Sequence, residues 1–286
     1  MAKILLQTTI PYAQDDWNAG RFSLLANELR AAGHDVTPRD RDGRDDDALL
    51  GSLDALEYDE LWLMAVDNGG GLSAGDAEAI LRFRDAGGGV LTARDHENLG
   101  ACLCALDTLG RINHFNGVNP EPDVVPDDRD NPDIAPPNYH SGANGDYQPV
   151  IVDGPAHDLL RTRRTRSGRI AWFPAHPHEG AVSVPPEFGF ARSLAQGRSA
   201  VTGRLFNLAV VIDGECTADG RTRGRAVATS TFHQFADYNW DIDWGAPSFV
   251  TDTPGTEIKR DPSRLEIYKD YVRNLARWLT PHRDAR

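Results

Sequence analysis

Apolar and polar positions alternate along the first third of the chain in two different rhythms. Short apolar runs at Ile4–Gln7, Leu61–Val66 and Val90–Ala93 read as buried strands, and Asp35–Pro38 as a weak one. Between them, apolar residues recur at helical spacing. Trp17, Phe22, Leu24, Leu25 and Leu29 mark a helix over Asp16–Ala32, closed by Gly33. Asp46–Leu56 has the same spacing. Ser73-Ala-Gly-Asp76 forms a capping-box pattern, with Asp in place of Glu, opening a helix that runs to Ala86 and stops at Gly87–Gly89. A further helical pattern covers Asn98–Leu109. Strands alternating with helices at this spacing predict right-handed βαβ units and a parallel sheet.

Residues 116–148 break the rhythm. They are rich in proline, Asp and Asn and have little apolar periodicity, so they predict a long irregular loop. Tyr139 and His140, near its end, either reach a site or pack on the surface. Beyond it, Pro149–Val152, Arg169–Phe173, Leu205–Ile212 and Arg225–Thr231 read as strands. Ser263–Leu279 reads as an amphipathic final helix. The pattern favours one α/β domain over residues 1–286, decorated in its C-terminal half, with no internal repeat.

Composition adds bounds. The 286 residues are 40% hydrophobic and 26% charged, which is ordinary for a globular chain. No apolar run approaches the ~20 residues of a membrane helix. The N-terminal segment enters a strand directly, without signal-peptide architecture. The expectation is a soluble, cytoplasmic protein with no membrane partner. A net charge of −13 argues against nucleic-acid binding. The arginine-rich stretch Arg161–Arg169 reads as a solvated turn or an anion-holding patch. The three cysteines, Cys102, Cys104 and Cys216, read as buried, reduced thiols rather than a disulfide framework. Oligomeric state, a homo-oligomer included, is left open.

Candidate chemistry clusters at three strand ends. Arg94-Asp95-His96-Glu97 follows Val90–Ala93. His176-Pro177-His178-Glu179 follows Arg169–Phe173. Thr231-Phe232-His233 follows Arg225–Ala228, with Asp237, Tyr238 and Asn239 beyond. In an open parallel sheet such ends share one crevice, where ligands bind. Asp95, His96, His176 and Glu179 are the candidate catalytic residues, because a carboxylate beside a histidine can act as base and orienting partner. Arg94, Glu97, His178, His233 and His140 are candidate ligand-binding residues. His176 and His178 would share a face if the segment were a strand, so joint metal ligation is geometrically open; Pro177 equally suits a turn. No cofactor is required by the pattern, and a divalent metal is an alternative. The aromatics of Phe232–Trp244 suit core packing or a sugar platform.

The run Leu61–Val66, the helix opening at Leu72-Ser73, and Phe83…Gly87-Gly88-Gly89-Val90 together resemble the class I glutamine amidotransferase-like superfamily, in particular its ThuA-like (trehalose-utilisation-like) branch. The likeness extends to about Phe115 and resumes at the strand leading to His176. It implies a flavodoxin-like three-layer sandwich with a mainly parallel central sheet. In the amidotransferases a cysteine follows the elbow strand; here Arg94 and Asp95 stand in its place. Cys102 lies seven residues past Asp95, about 10 Å along a helix. The family's His-Pro-Glu segment looks like His176-Pro177-His178-Glu179 with one residue inserted. Glutamine hydrolysis through a thiolate is therefore not expected. The branch is associated with sugar metabolism, so the resemblance implies a small polar ligand, with carbohydrate as one class. Three functions follow: an enzyme of hydrolase type without a cysteine nucleophile, a non-catalytic ligand-binding or assembly module, or a metal-dependent hydrolase using His176, His178 and His233.

Overall fold

The computed structural model describes residues 1–43, 45–53, 57–122 and 138–281. Four strands come first: β1 (Lys3–Thr8), β2 (Asp35–Arg39), β3 (Glu60–Met64) and β4 (Gly89–Ala93). Five short ones follow: β5 (Asn113–His114), β6 (Asn138–Tyr139), β7 (Tyr147–Pro149), β8 (Trp172–Pro174) and β9 (Glu179–Val182). The last three are β10 (Ala191–Arg198), β11 (Leu205–Ile212) and β12 (Ala226–Thr229). The main sheet has the order β10-β11-β12-β4-β3-β1-β2. Its five strands from β12 to β2 are parallel, and β11 runs antiparallel to both of its neighbours.

Helices cover both faces. α1 (Ser23–Ala31) and α6 (Pro262–Leu279) pack with Ile4, Leu6, Trp62, Met64 and Leu91 in one apolar cluster. α2 (Ala48–Gly51), α3 (Ala74–Asp85) and α4 (Asp107–Ile112) pack with Leu5, Leu61, Leu63 and Val90 in the other. Neighbouring residues of one strand enter opposite clusters because strand side chains alternate between faces. Near-continuous apolar runs in the central strands follow from this double burial. The result is the flavodoxin-like three-layer sandwich. α5 (Glu257–Arg260) precedes α6. Among the described residues, no helix is long and apolar enough to cross a membrane.

The capping box expected at Ser73 is present: Asp76 N–H donates to Ser73 Oγ at 2.9 Å, and Ser73 N–H donates to Asp76 at 3.0 Å. The same Asp76 carboxylate holds the buried Arg41 at 2.6 Å. The first helix starts later than its sequence pattern, because Ala19–Phe22 forms a 3-10 turn capped by Asn18. Gly33, at φ +92°, ends it in the left-handed region that only glycine enters without strain.

Several expectations need correction. The helix expected over Asn98–Leu109 is broken into a 3-10 turn at Ala101–Ala105 and α4. Glu97 (φ 48°), Gly100 (φ 88°) and Asp107 (φ 44°) interrupt it with left-handed backbone. The Asp46–Leu56 helix is only four residues long as described; residues 54–56 lie outside the described residues. Part of the loop expected at 116–148 is structured. Asn138–Tyr139 pairs with β9, and Tyr147–Gln148 pairs with β8. Residues 123–137 lie outside the described residues. The arginine-rich turn docks on α6, where Arg164 reaches Asp270 at 3.2 Å.

Candidate functional site

The carboxyl ends of β4 and β12 lie side by side, because these two strands are parallel neighbours. β4 delivers Arg94 and Asp95; β12 delivers Ser230, Thr231 and, one residue past Phe232, His233. The third polar patch arrives differently from the sequence expectation. His176 follows β8, which belongs to a two-stranded ribbon and not to the main sheet. The β8–β9 turn folds back over the sheet end and sets His176 on Asp95. Gly180 makes this approach feasible. A Cβ there would meet Arg94 Nε and Asp95 O, each at 2.5 Å, closer than real side chains come. Gly180 N–H instead donates to Ser230 O at 2.9 Å.

Asp95 is the centre of the cluster. It is buried, and its carboxylate lies 3.2 Å from His176 Nε2, 3.3 Å from His233 Nε2 and 3.1 Å from His96 Nδ1. Thr231 Oγ1 donates to it at 3.0 Å. Burial alone would push the carboxyl up, but the surrounding His176, His233 and His96 hold it well below the usual carboxylate range. The three imidazoles sit in different surroundings. Burial and the neighbouring His233 push His176 well below its ordinary value, against the pull of Asp95. His96 keeps a side-chain exposure of 23%. Burial opposes its protonation, yet contact with Asp95 raises it. His178 lies tilted to the His96 ring at 5.2 Å and edgewise to the His176 ring at 5.8 Å. Burial and then His96 bring it down to about 4, while Asp252 approaches its Nε2 at 3.5 Å.

The His233 ring is held on three sides. His176 stacks on it at 3.7 Å, Phe232 stacks at 4.6 Å, and Trp17 meets it edge-on at 4.6 Å. An amide network sets the depth of the site. His176 Nδ1 lies 2.9 Å from Asn144 Oδ1, and Asn239 Nδ2 donates to the same oxygen at 3.0 Å.

The remaining sequence candidates are not at the centre. Glu179 is fully buried and accepts from Ser141 at 2.5 Å, Ser230 at 2.6 Å and also Gln148. Burial pushes its carboxyl up to about 7, against those donors. It ties the ribbon to β12 and points no oxygen at the histidines through any described bond. Arg94 is also fully buried. Its guanidinium is spent on the carbonyls of His114, Ala181 and Glu97, and it lies over the Phe115 ring at 4.1 Å. Burial brings it down to about 9. It therefore clamps the end of β4 to β5 and β9. Glu97 contributes its carbonyl to that clamp and a left-handed backbone. His140 is half-buried, and its carbonyl accepts from Ala200 N–H at 2.6 Å; its neighbours Ser141 and Asn144 are the residues that reach the site. Tyr139 stacks on Phe206 at 4.5 Å. Cys102 is buried, donates to Asp67 at 2.9 Å, and is raised well above its ordinary value, by burial first and then by Asp67, whereas Cys216 is exposed, against the expectation of buried thiols.

Asn144, Ser141 and Gln148 were not singled out by the sequence pattern, and Asn239 only as a residue beyond the third strand end. Asn144 and Ser141 sit in a segment that read as irregular, and amide side chains in loops carry no spacing signal.

Of the aromatics in Phe232–Trp244, Phe232, Phe235, Tyr238 and Trp240 are buried. Trp244 is 54% exposed and Tyr12 is 68% exposed. These two flank a cavity of about 260 Å³, also lined by Gln14, Asn18, Arg21 and Asp237. Asn18 follows Trp17, the residue that touches His233.

This fold is shared with solved structures. A ThuA-like protein of Parabacteroides merdae superposes with a TM-score of 0.54 at 14% identity, covering 100% of this chain and 92% of that one. A cytoplasmic protein of Salmonella typhimurium LT2 superposes with a TM-score of 0.50 at 13% identity, covering 97% and 99%. No family model matches the sequence, and no curated protein matches it. At these identities the likeness is one of fold: the chain shares the flavodoxin-like architecture of these structures, one of them a ThuA-like protein.

Proposed function

We propose that this chain is a cytoplasmic enzyme of hydrolase type that acts on a small hydroxyl-rich ligand, a carbohydrate, without a cysteine nucleophile. One observation carries the reading: a single buried carboxylate, Asp95, lies within 3.1–3.3 Å of a ring nitrogen from each of three histidines. A carboxylate so placed orients imidazoles and stabilises whichever one takes a proton. His96 and His178 are driven in opposite directions by their surroundings. Neighbouring groups pushed apart in this way divide acid and base roles between them. His96, the solvent-facing member in contact with Asp95, is the proton donor, and the neutral His178 accepts from a substrate hydroxyl. Glu179 and Arg94 are positioning residues that fix the strand ends. The exposed Trp244 and Tyr12 faces, with the amides and charges of Asn18, Arg21 and Asp237 beside them, suit a sugar ring. Three free cysteines fit a reducing compartment.

A thermal-shift panel of mono- and disaccharides tests this. Specific binders raise the melting temperature by mass action. At least one sugar is expected to stabilise the wild type and to lose its effect in Asp95→Asn and His96→Ala. Either no shift with any sugar, or equal shifts in both variants, overturns the reading.

A further inference from the structure

Hydrogen-bond geometry fixes where the protons of this cluster can sit. Gly145 N–H donates to Asn239 Oδ1 at 2.9 Å, and a backbone N–H can only donate. The other end of the Asn239 amide is therefore its NH2. That NH2 donates to His233 O at 3.0 Å and to Asn144 Oδ1 at 3.0 Å. Asn144 Oδ1 is thus an acceptor, so its 2.9 Å contact with His176 places the ring proton on Nδ1. In a neutral imidazole, Nε2 is then a bare lone pair. This buried atom has no hydrogen-bond partner, yet Asp95 Oδ1 lies 3.2 Å away. Two acceptors then face each other at 3.2 Å, an arrangement that a cation between them would satisfy.

We propose that Asp95, His176 and His233 bind a divalent metal of the zinc class, through one carboxylate oxygen and two Nε2 atoms. The inference rests on the reading of this cluster as the reactive centre and names what completes it. The three ligand atoms all lie within 4.8 Å of one another, on buried residues. His176 Nε2 lies 3.2 Å from Asp95 Oδ1 and His233 Nε2 lies 3.3 Å from Asp95 Oδ2, so each carboxylate oxygen stands at ligand spacing from one imidazole. A tetrahedral ion with bonds of ~2.0–2.1 Å spaces its ligands by about 3.3 Å. Imidazole and carboxylate are the donors such an ion takes, and three protein ligands leave a fourth position for water or substrate. The outer partners are also in place. Asn144 holds the His176 tautomer, and Thr231 donates to the Asp95 carboxylate. His176 and His233 stack at 3.7 Å with 18° between their planes, so binding fans the two rings apart. When bound, the ion supplies a Lewis acid and brings its water toward neutral pKa.

The test uses the full chain, stripped with chelator and dialysed against Zn2+ or Co2+. One equivalent of Zn2+ per chain is expected by elemental analysis, with X-ray absorption showing two imidazoles and one carboxylate oxygen. Co2+ is expected to give the visible bands of a four-coordinate site. Asp95→Ala and His176→Ala are expected to lose stoichiometric binding. Asn144→Leu, which removes an outer partner and no metal ligand, is expected to weaken it about 10- to 100-fold. Wild-type protein that takes up no saturable Zn2+, or an absorption spectrum without imidazole, overturns the proposal whether or not the variants fold. Equal uptake by folded Asp95→Ala overturns it too. If Zn2+ fails to bind while sugars still stabilise the wild type through Asp95, the metal falls and the proposed function stands.

Discussion

Glu60→Gln isolates one buried carboxyl and the pH range over which it costs stability. Glu60 starts β3 and is fully buried. Trp62 Nε1–H donates to one oxygen at 2.8 Å, and Thr280 Oγ1 lies 2.8 Å from the other. Thr280 also contacts Ala276 O at 2.7 Å. A hydroxyl has one proton. When Glu60 is protonated, it donates to Thr280, Thr280 donates to Ala276, and each group is satisfied. When Glu60 is ionised, Thr280 can serve only one acceptor. Burial pushes this carboxyl from 4.5 up to about 8, against the Trp62 and Thr280 contacts. A carboxyl raised in the folded state contributes fully below pH 4.5, and its contribution is lost as pH rises toward 8. Each pH unit in that window costs about 1.4 kcal/mol, so about 3 kcal/mol has gone by pH 7. Glutamine keeps the whole chain of donors, since its NH2 replaces the acid O–H toward Thr280. Urea unfolding from pH 4.5 to pH 8 is the assay. The variant should match the wild type near pH 4.5 and exceed it by about 3 kcal/mol at pH 7. Parallel stability curves for the two proteins would refute the argument.

Gly180→Ala drives a methyl into Arg94 and the Asp95 carbonyl; chemical denaturation should register a loss of about 1–3 kcal/mol, and an unchanged midpoint would mean the strand ends do not meet as described. Trp244→Ala removes an exposed ring, so the melting temperature should hardly move. Sugar affinity, by titration calorimetry, should fall about 3- to 10-fold; unchanged affinity places the ligand elsewhere. Iodoacetamide on native protein should label the exposed Cys216 and spare Cys102, whose thiol is buried and donates to Asp67. Rapid labelling of Cys102, mapped by mass spectrometry, would contradict its burial.

The elements that the chain announces most clearly are those whose burial is two-sided or whose caps are local. Leu205–Ile212 appears as a strand with the expected ends, and the Ser73 capping box was legible because its two reciprocal bonds join residues three apart. Ala191–Arg198 was not visible. It is an edge strand with several exposed positions, and its polar sequence ARSLAQGR carries no buried run. The break after Glu97 was equally hidden, since Leu99, Leu103, Leu106 and Leu109 keep helical spacing while the backbone turns left-handed at Glu97 and Asp107. Two arms of the cluster could be seen because Asp95 and His233 end neighbouring parallel strands. The third was seen for an incorrect reason: His176 reaches Asp95 from the small ribbon. Asn239 was visible only as a residue beyond the third strand end and Asn144 not at all, because only the tertiary fold brings residues 95 positions apart into one amide pair.

Side-chain 1H–15N NMR of the histidines across pH, on chelator-treated protein, tests the Asp95 cluster most directly. His176 is expected as the Nδ1–H tautomer, staying neutral until well below the ordinary histidine range. His96 is expected to take its proton above that range and His178 to titrate near 4. Three histidines titrating together at the ordinary value, or His176 carrying its proton on Nε2, would contradict this account.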